Sequence, residues 1–278
     1  MLKNYDGYPV AVTEKNPSGP RLIVLLHGFG ASTFSWRTVI DELAELGHVI
    51  AYDRPGFGVT PLVERTPTDD PYSLAGQVRL LGKLVEAESA GRQVVLVGHS
   101  AGALVATQFV LENPGVASAL VLESPAIWRK PPVPTVMASA MRRPGLEKLG
   151  DRLLGSFDKA GMKILTDSFF DTANLTQDVI DGYRAPMNRP EWRIALWRFM
   201  TADQTNRVRD QLGELNLPVF VISGEADRIV KVEDTFRVAE RIPGHRIYLV
   251  PKAGHLAHEE QPADFLRVAK KYITGATS

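Results

Sequence analysis

The stretch Leu96-Val97-Gly98-His99-Ser100-Ala101-Gly102-Ala103-Leu104 decides how the rest of the chain is read. It overlaps the apolar run Val94 to Val97 and passes through Gly-x-Ser-x-Gly. A helical pattern follows through Val105, Phe109 and Val110 and closes near Asn113-Pro114. Strand, tight turn and helix in that order make a nucleophile elbow, which lifts a serine hydroxyl above the end of a sheet. The turn holds its serine in strained backbone, and it needs neighbours with almost no side chain. Gly98 and Gly102 supply them. The helix behind Ser100 would aim its first backbone N–H groups and its positive dipole end at the reacting atom.

Around this stretch, 278 residues give room for one large α/β domain or a core with an inserted subdomain. A hydrophobic fraction of 44% is ordinary for a packed globule. The 32 basic and 32 acidic residues cancel, so no net field draws the chain toward nucleic acid or an anionic membrane. Cysteine is absent, which excludes disulfides, thiol catalysis and Cys-ligated metals. Met1 to Gly7 carries no apolar signal core, and no apolar run approaches about 18 residues. A cytoplasmic protein is expected.

Upstream of the elbow, Tyr8 to Thr13 reads as an early strand and Leu22 to Leu26 as a strand buried on both faces. The latter runs into His27-Gly28-Phe29-Gly30. Ser32 or Thr33 can cap a helix over about Phe34 to Leu46. His48 to Tyr52 is the next strand and stops at Asp53-Arg54-Pro55-Gly56-Phe57-Gly58. A helix follows over about Ser73 to Glu88. Downstream of the elbow come the strand Ala119 to Glu123, then Val219 to Ile222, a helix over about Val232 to Arg241, the strand Ile247 to Val250, and a last helix over about Pro262 to Tyr272. Strands that alternate with helices predict an α/β fold with a mostly parallel sheet covered on both faces. Residues 128–215 break the rhythm. They open with Pro131-Pro132-Val133-Pro134 and are otherwise amphipathic and helical, so they read as an inserted helical lid on a core of residues 1–127 and 216–278.

A serine hydroxyl needs a neighbouring base, itself oriented by an acid. In a parallel sheet those groups belong at the C-terminal strand ends. Two later strand ends supply them: Ser223-Gly224-Glu225-Ala226-Asp227 after one strand, and Gly254-His255 after the next. With His27-Gly28-Phe29-Gly30, the Asp53 to Gly58 loop and Gly98-His99-Ser100-Ala101-Gly102, these motifs make the chain resemble, over nearly its whole length, an α/β-hydrolase fold enzyme of the lidded, serine-esterase kind. The resemblance implies Ser100 as nucleophile, His255 as general base and then acid, and Asp227 as the group that fixes the imidazole. It implies backbone N–H groups of Phe29 and Ala101 as the oxyanion hole. It further implies a small-molecule ester as the partner, in a monomer or homodimer, with no metal or organic cofactor.

The nucleophile's identity narrows the activity. Epoxide hydrolases and haloalkane dehalogenases of similar fold carry aspartate at the elbow, where this chain has Ser100. C–C bond hydrolases of ring-cleavage products commonly have Trp after the histidine, and here Leu256 follows His255. Ester cleavage is therefore the expected reaction. Lactone, perhydrolase or C–C chemistry are the alternatives, and a small-molecule receptor retaining a slow triad is the alternative of another class. The substrate pocket is expected to draw on His27, Trp128, Trp192, Trp197 and Leu256; the tryptophans are equally suited to lid core. His258 reads as a surface or near-site polar group, Glu123 as a reserve acid or buried partner, and Asp53 with Arg54 as an ion pair.

Overall fold

The computed structural model describes residues 1–66, 68–129, 133–142, 146, 154 and 157–276. Eight strands form one sheet in the order β1-β2-β4-β3-β5-β6-β7-β8. They are β1 (Leu2–Tyr5), β2 (Tyr8–Lys15), β3 (Arg21–Leu26), β4 (His48–Tyr52), β5 (Gln93–His99), β6 (Ala119–Glu123), β7 (Val219–Gly224) and β8 (Arg246–Val250). β2 pairs antiparallel with β1 and with β4, and all other pairings are parallel. Leu22 to Leu26, Val49 to Tyr52 and Ala119 to Leu122 are completely buried, as continuous apolar runs demand when both sheet faces are covered.

One face of the sheet packs against α2 (Leu74–Ser89) and α3 (Ala101–Glu112). The other packs against α1 (Ile40–Ala44) and the last helix, which spans Pro262–Ala276. Ser73 caps α2 by accepting the Gly76 N–H at 3.0 Å. The helix expected over Phe34 to Leu46 is two shorter pieces, a 3₁₀ turn at Thr33–Thr38 and then α1. Val39 separates them with φ −129° and ψ −13°, its N–H bonded back to the Trp36 carbonyl. β1 carries no strand signature in sequence because it is only four residues long and half of it is exposed.

Between β6 and β7 the described residues hold no strand. They hold α4 (Thr135–Met141), α5 (Phe157–Ser168), α6 (Gln177–Arg184), α7 (Trp192–Thr201) and α8 (Val208–Gln211). The expected opening of this segment, Pro131-Pro132, lies outside the described residues. After β7 come α9 (Val232–Ala239), α10 (Ala257–Glu260) and α11 (Pro262–Ala276). Among the described residues no helix is long and apolar enough to cross a membrane.

The topology places the site. The chain leaves β3 for β4 on one side and returns across to β5 on the other. The loops after β3 and β5 therefore open a crevice at the carboxyl ends of the strands, where ligands bind in such sheets.

Candidate active site

Ser100 sits between the last residue of β5 and the first of α3, with φ +53° and ψ −117°. A side chain pays for that backbone in strain, and here the strain is held by packing. A Cβ on Gly98 would stand 2.6 Å from the Ala103 Cα, and one on Gly102 would stand 2.2 Å from the Leu26 carbonyl oxygen. Both glycines are thus required by the close crossing of β5, α3 and β3. The Ser100 N–H donates to the Glu123 carbonyl at 2.9 Å, and the Ser100 carbonyl accepts from Ala103 and Ala126.

His255 lies beyond the end of β8, next to a buried carboxylate. Its Nδ1 is 2.8 Å from Asp227 Oδ2. The other Asp227 oxygen accepts the N–H groups of Ile229 and Val230 at 2.8 and 2.9 Å. Burial works against a charge on Asp227, but His255 and these N–H donors outweigh it and hold the carboxyl below the ordinary aspartate range. An ionised carboxylate only accepts, so Nδ1 carries a proton toward Asp227. The His255 N–H donates to the Ser168 carbonyl at 2.7 Å, fixing the histidine's backbone to the end of α5.

Two further histidines are locked neutral. His27 Nε2 accepts the Arg54 N–H at 3.0 Å, so Nδ1 must donate to the Gly28 carbonyl at 2.7 Å. Burial, then the Arg54 charge, pushes His27 well below the usual histidine range. His99 Nε2 donates to the His255 carbonyl at 3.0 Å. Burial and the neighbouring imidazoles of His255 and His258 depress it likewise. The loop after β3 packs tightly on the elbow, since a Cβ on Gly28 would meet His99 Nδ1 at 2.8 Å and Ser100 Cβ at 3.1 Å. Phe29 and Ala101 line one cavity, and the Ala101 N–H opens α3 and lacks an acceptor within the helix.

Ser100, Ala101, Phe29 and His255 all line one cavity of about 330 Å³. The opposite wall comes from the helices between β6 and β7, including Met162, Leu165, Met187 and Phe199. Trp192 and Leu256 line it. His27, Trp128 and Trp197 do not. His27 is completely buried beneath the Gly28 loop, and Trp197 packs in the apolar cluster of α7. Trp128 lies against the core with the Arg237 and Arg241 guanidinium groups 4.5 and 4.9 Å from its ring.

Other expectations are corrected. Of the two readings of His258 the surface one fails: it is completely buried near the site, and its Nδ1 lies 2.7 Å from Glu123 Oε2. Asp53 and Arg54 do not pair: Asp53 accepts the Thr33 and Val59 N–H groups, whereas Arg54 donates to Gln77. The sequence reading missed Ser168 and Glu260. The Glu260 carboxylate accepts the N–H groups of Phe170, Asp171 and Gly254, binding the end of α5 to the histidine loop. Glu14, His48 and Glu88 converge elsewhere, but the Lys3 ammonium stands 2.9 Å from both carboxylates, in the place a metal ion would take.

Comparison with known proteins agrees with this architecture. The model of the alpha/beta hydrolase family matches residues 23–268. An uncharacterized hydrolase of Bacillus subtilis, YugF, is 30% identical over 269 residues, covering 94% of this chain and 96% of the relative. A pimeloyl-[acyl-carrier protein] methyl ester esterase of Aeromonas hydrophila is 27% identical over 267 residues, covering 94% and 98%. A thermophilic esterase from Thermogutta terrifontis shares the fold with a TM-score of 0.76 at 21% identity, over 100% of this chain and 97% of that one. The chain belongs to the α/β hydrolase family, and it is a hydrolase of that family.

Proposed function

We propose that the chain is a serine esterase that cleaves small to medium carboxylic esters through an acyl-enzyme. The observation that carries this reading is the 2.8 Å His255–Asp227 contact on the same cavity as the elbow serine. In this account His255 Nε2 takes the proton as Ser100 Oγ attacks the ester carbonyl. The oxygen that becomes negative lies against the N–H groups of Phe29 and Ala101; one such donor is worth about 10²–10³ in rate. The alcohol leaves with the proton from His255, and a water activated by the same nitrogen releases the acid. Every proton moves through a residue already at the site. A base of this kind works only deprotonated, so activity falls in acid.

Residues 128–215 act as the cap. Among their described residues, apolar side chains such as Met162, Leu165 and Phe199 share with Ser100 a cavity of about 330 Å³, at the small end of the usual range for ligand pockets. That size and the mostly apolar lining suit an acyl chain of modest length, with Arg129 and Arg184 also on the wall. The ester chemistry printed for the Aeromonas relative supports the same class of bond.

The test is hydrolysis of p-nitrophenyl esters of increasing acyl length, run beside Ser100→Ala. Steady turnover at about 1–10³ s⁻¹ in the wild type, lost in the variant, is expected. A folded wild type that turns over no ester overturns the reading. Tight binding with very slow release would instead identify a receptor.

A further inference from the structure

We infer that the buried Glu123–His258 pair is a second, non-reacting carboxylate–histidine pair that positions His255 relative to Ser100. The inference rests on the esterase reading above and deepens it.

Glu123 is the last residue of β6, opposite His99 in the sheet register. Its backbone carbonyl accepts the Ser100 N–H at 2.9 Å, so it holds the elbow. Its side chain reaches the other way. Oε1 accepts the His258 N–H at 3.0 Å, and Oε2 faces His258 Nδ1 at 2.7 Å. His258 belongs to α10, which begins two residues after His255. One residue therefore grips the nucleophile's backbone and the base's helix at once.

The next residue completes the arrangement. Ser124 has φ +44° and its N–H is tied to the Ile222 carbonyl. Its hydroxyl lies 3.5 Å from that of Ser223, and it is the least of the groups that hold Asp227 below the ordinary aspartate range. The tip of β6 thus touches the supports of Ser100, His255 and Asp227 together.

Among the described residues Glu123 is the partner of His258 Nδ1, and Nε2 is buried with none. Trp36 stacks on its ring at 4.5 Å, and Phe265 packs at 5.9 Å. His99 from β5 stands edge-on at 5.3 Å and is itself neutral. Thr38 from the 3₁₀ turn donates to the His258 carbonyl at 2.9 Å. The remaining charges near it are Glu259 on its own helix and Arg37 on the 3₁₀ turn. Burial opposes a charge on His258, but Glu123 overcomes it and raises the group above the ordinary histidine range. A buried carboxylate–imidazole pair is weak as a source of stability, and fixing one geometry is the best-attested use of such pairs.

Replacing Glu123 by its amide forces His258 to change. Two N–H groups point at two carboxylate oxygens; glutamine keeps one oxygen and turns its N–H₂ toward Nδ1, which can face it only by giving up its own proton to Nε2. The expected shift of α10 moves His255. A misplacement of about 1 Å costs about 10²-fold in rate.

The experiment measures kcat and KM for a p-nitrophenyl ester in four proteins: wild type, Glu123→Gln, His258→Leu and His258→Asn. Thermal unfolding fixes the folded fraction of each. Asparagine places a donor where Nδ1–H stood, and leucine does not. Expected are kcat losses of about tenfold or more in Glu123→Gln and His258→Leu with KM within about twofold, and recovery of most of the loss in His258→Asn. If Glu123→Gln fails to fold, the His258 variants decide alone. Wild-type kcat in folded Glu123→Gln or His258→Leu overturns the inference, as does His258→Asn equal to His258→Leu. An inactive wild type would instead defeat the esterase reading.

Discussion

Replacing Ser100 by glycine should raise the stability of the fold while abolishing turnover. At φ +53° and ψ −117° the serine occupies backbone that a Cβ disfavours, at a cost of about 1–3 kcal/mol. Glycine relieves it, but loses about 0.5–1 kcal/mol more chain entropy on folding. The net gain is then about 0.5–2 kcal/mol. In a chain of this size each kcal/mol raises Tm by roughly 2–4 °C, so the variant should melt about 1–8 °C above wild type. Ser100→Ala is the control, because it removes the same hydroxyl and keeps the Cβ that carries the strain. Both variants should be inactive, and scanning calorimetry should place Ser100→Gly above Ser100→Ala. An alanine variant that melts as high as the glycine variant would refute the argument that the elbow stores strain for function.

The remaining predictions concern the supports of the site. Asp227→Asn keeps the shape but loses the charge that fixes Nδ1–H, so kcat should fall about 10⁴-fold with ester KM little changed, read by steady-state kinetics. Gly102→Ala drives a Cβ to 2.2 Å from the Leu26 carbonyl, so urea unfolding should show a loss of at least about 2 kcal/mol; an unchanged midpoint would mean that the crossing of α3 and β3 is looser than described. His27 and His99 are depressed in the fold from 6.5, so below about pH 6.5 unfolding takes up a proton at each. Stability should then fall by up to about 1.4 kcal/mol per pH unit per group, measured by urea unfolding between about pH 8 and about pH 5. His258 acts in the opposite sense: its raised folded value adds stability that is complete below about 6.5 and is lost as pH rises through that folded value. A flat profile on the acid side would show that His27 and His99 are not held neutral.

The sheet was legible because each buried strand is a continuous apolar run, and the elbow because glycine, serine and glycine fall where strand turns to helix. Asp227 and His255 were legible for a topological reason: parallel strands deliver their loops to one edge, so residues far apart in sequence meet there. What local pattern could not show was pairing across that edge. Glu123 and His258 each look ordinary in sequence, and only the packing of α10 under β6 brings them within 2.7 Å. The tryptophans were ambiguous for the same reason. Trp192 and Trp197 lie on one helix, yet Trp192 alone reaches the cavity wall, and Trp128 is turned toward arginines of α9 and its C-terminal end. The stretch from Thr33 to Ala44 reads as one helix by spacing, but Val39 leaves helical backbone and splits it.

The most direct test of the central claim is to trap the acyl-enzyme. The protein is mixed with an activated ester, quenched in acid within the first turnovers, digested, and mapped by mass spectrometry. The account predicts one acyl group on the peptide that carries Ser100, absent in Ser100→Ala and released with time in the wild type. Ester turnover with no adduct on Ser100, or turnover that survives in Ser100→Ala, would contradict it.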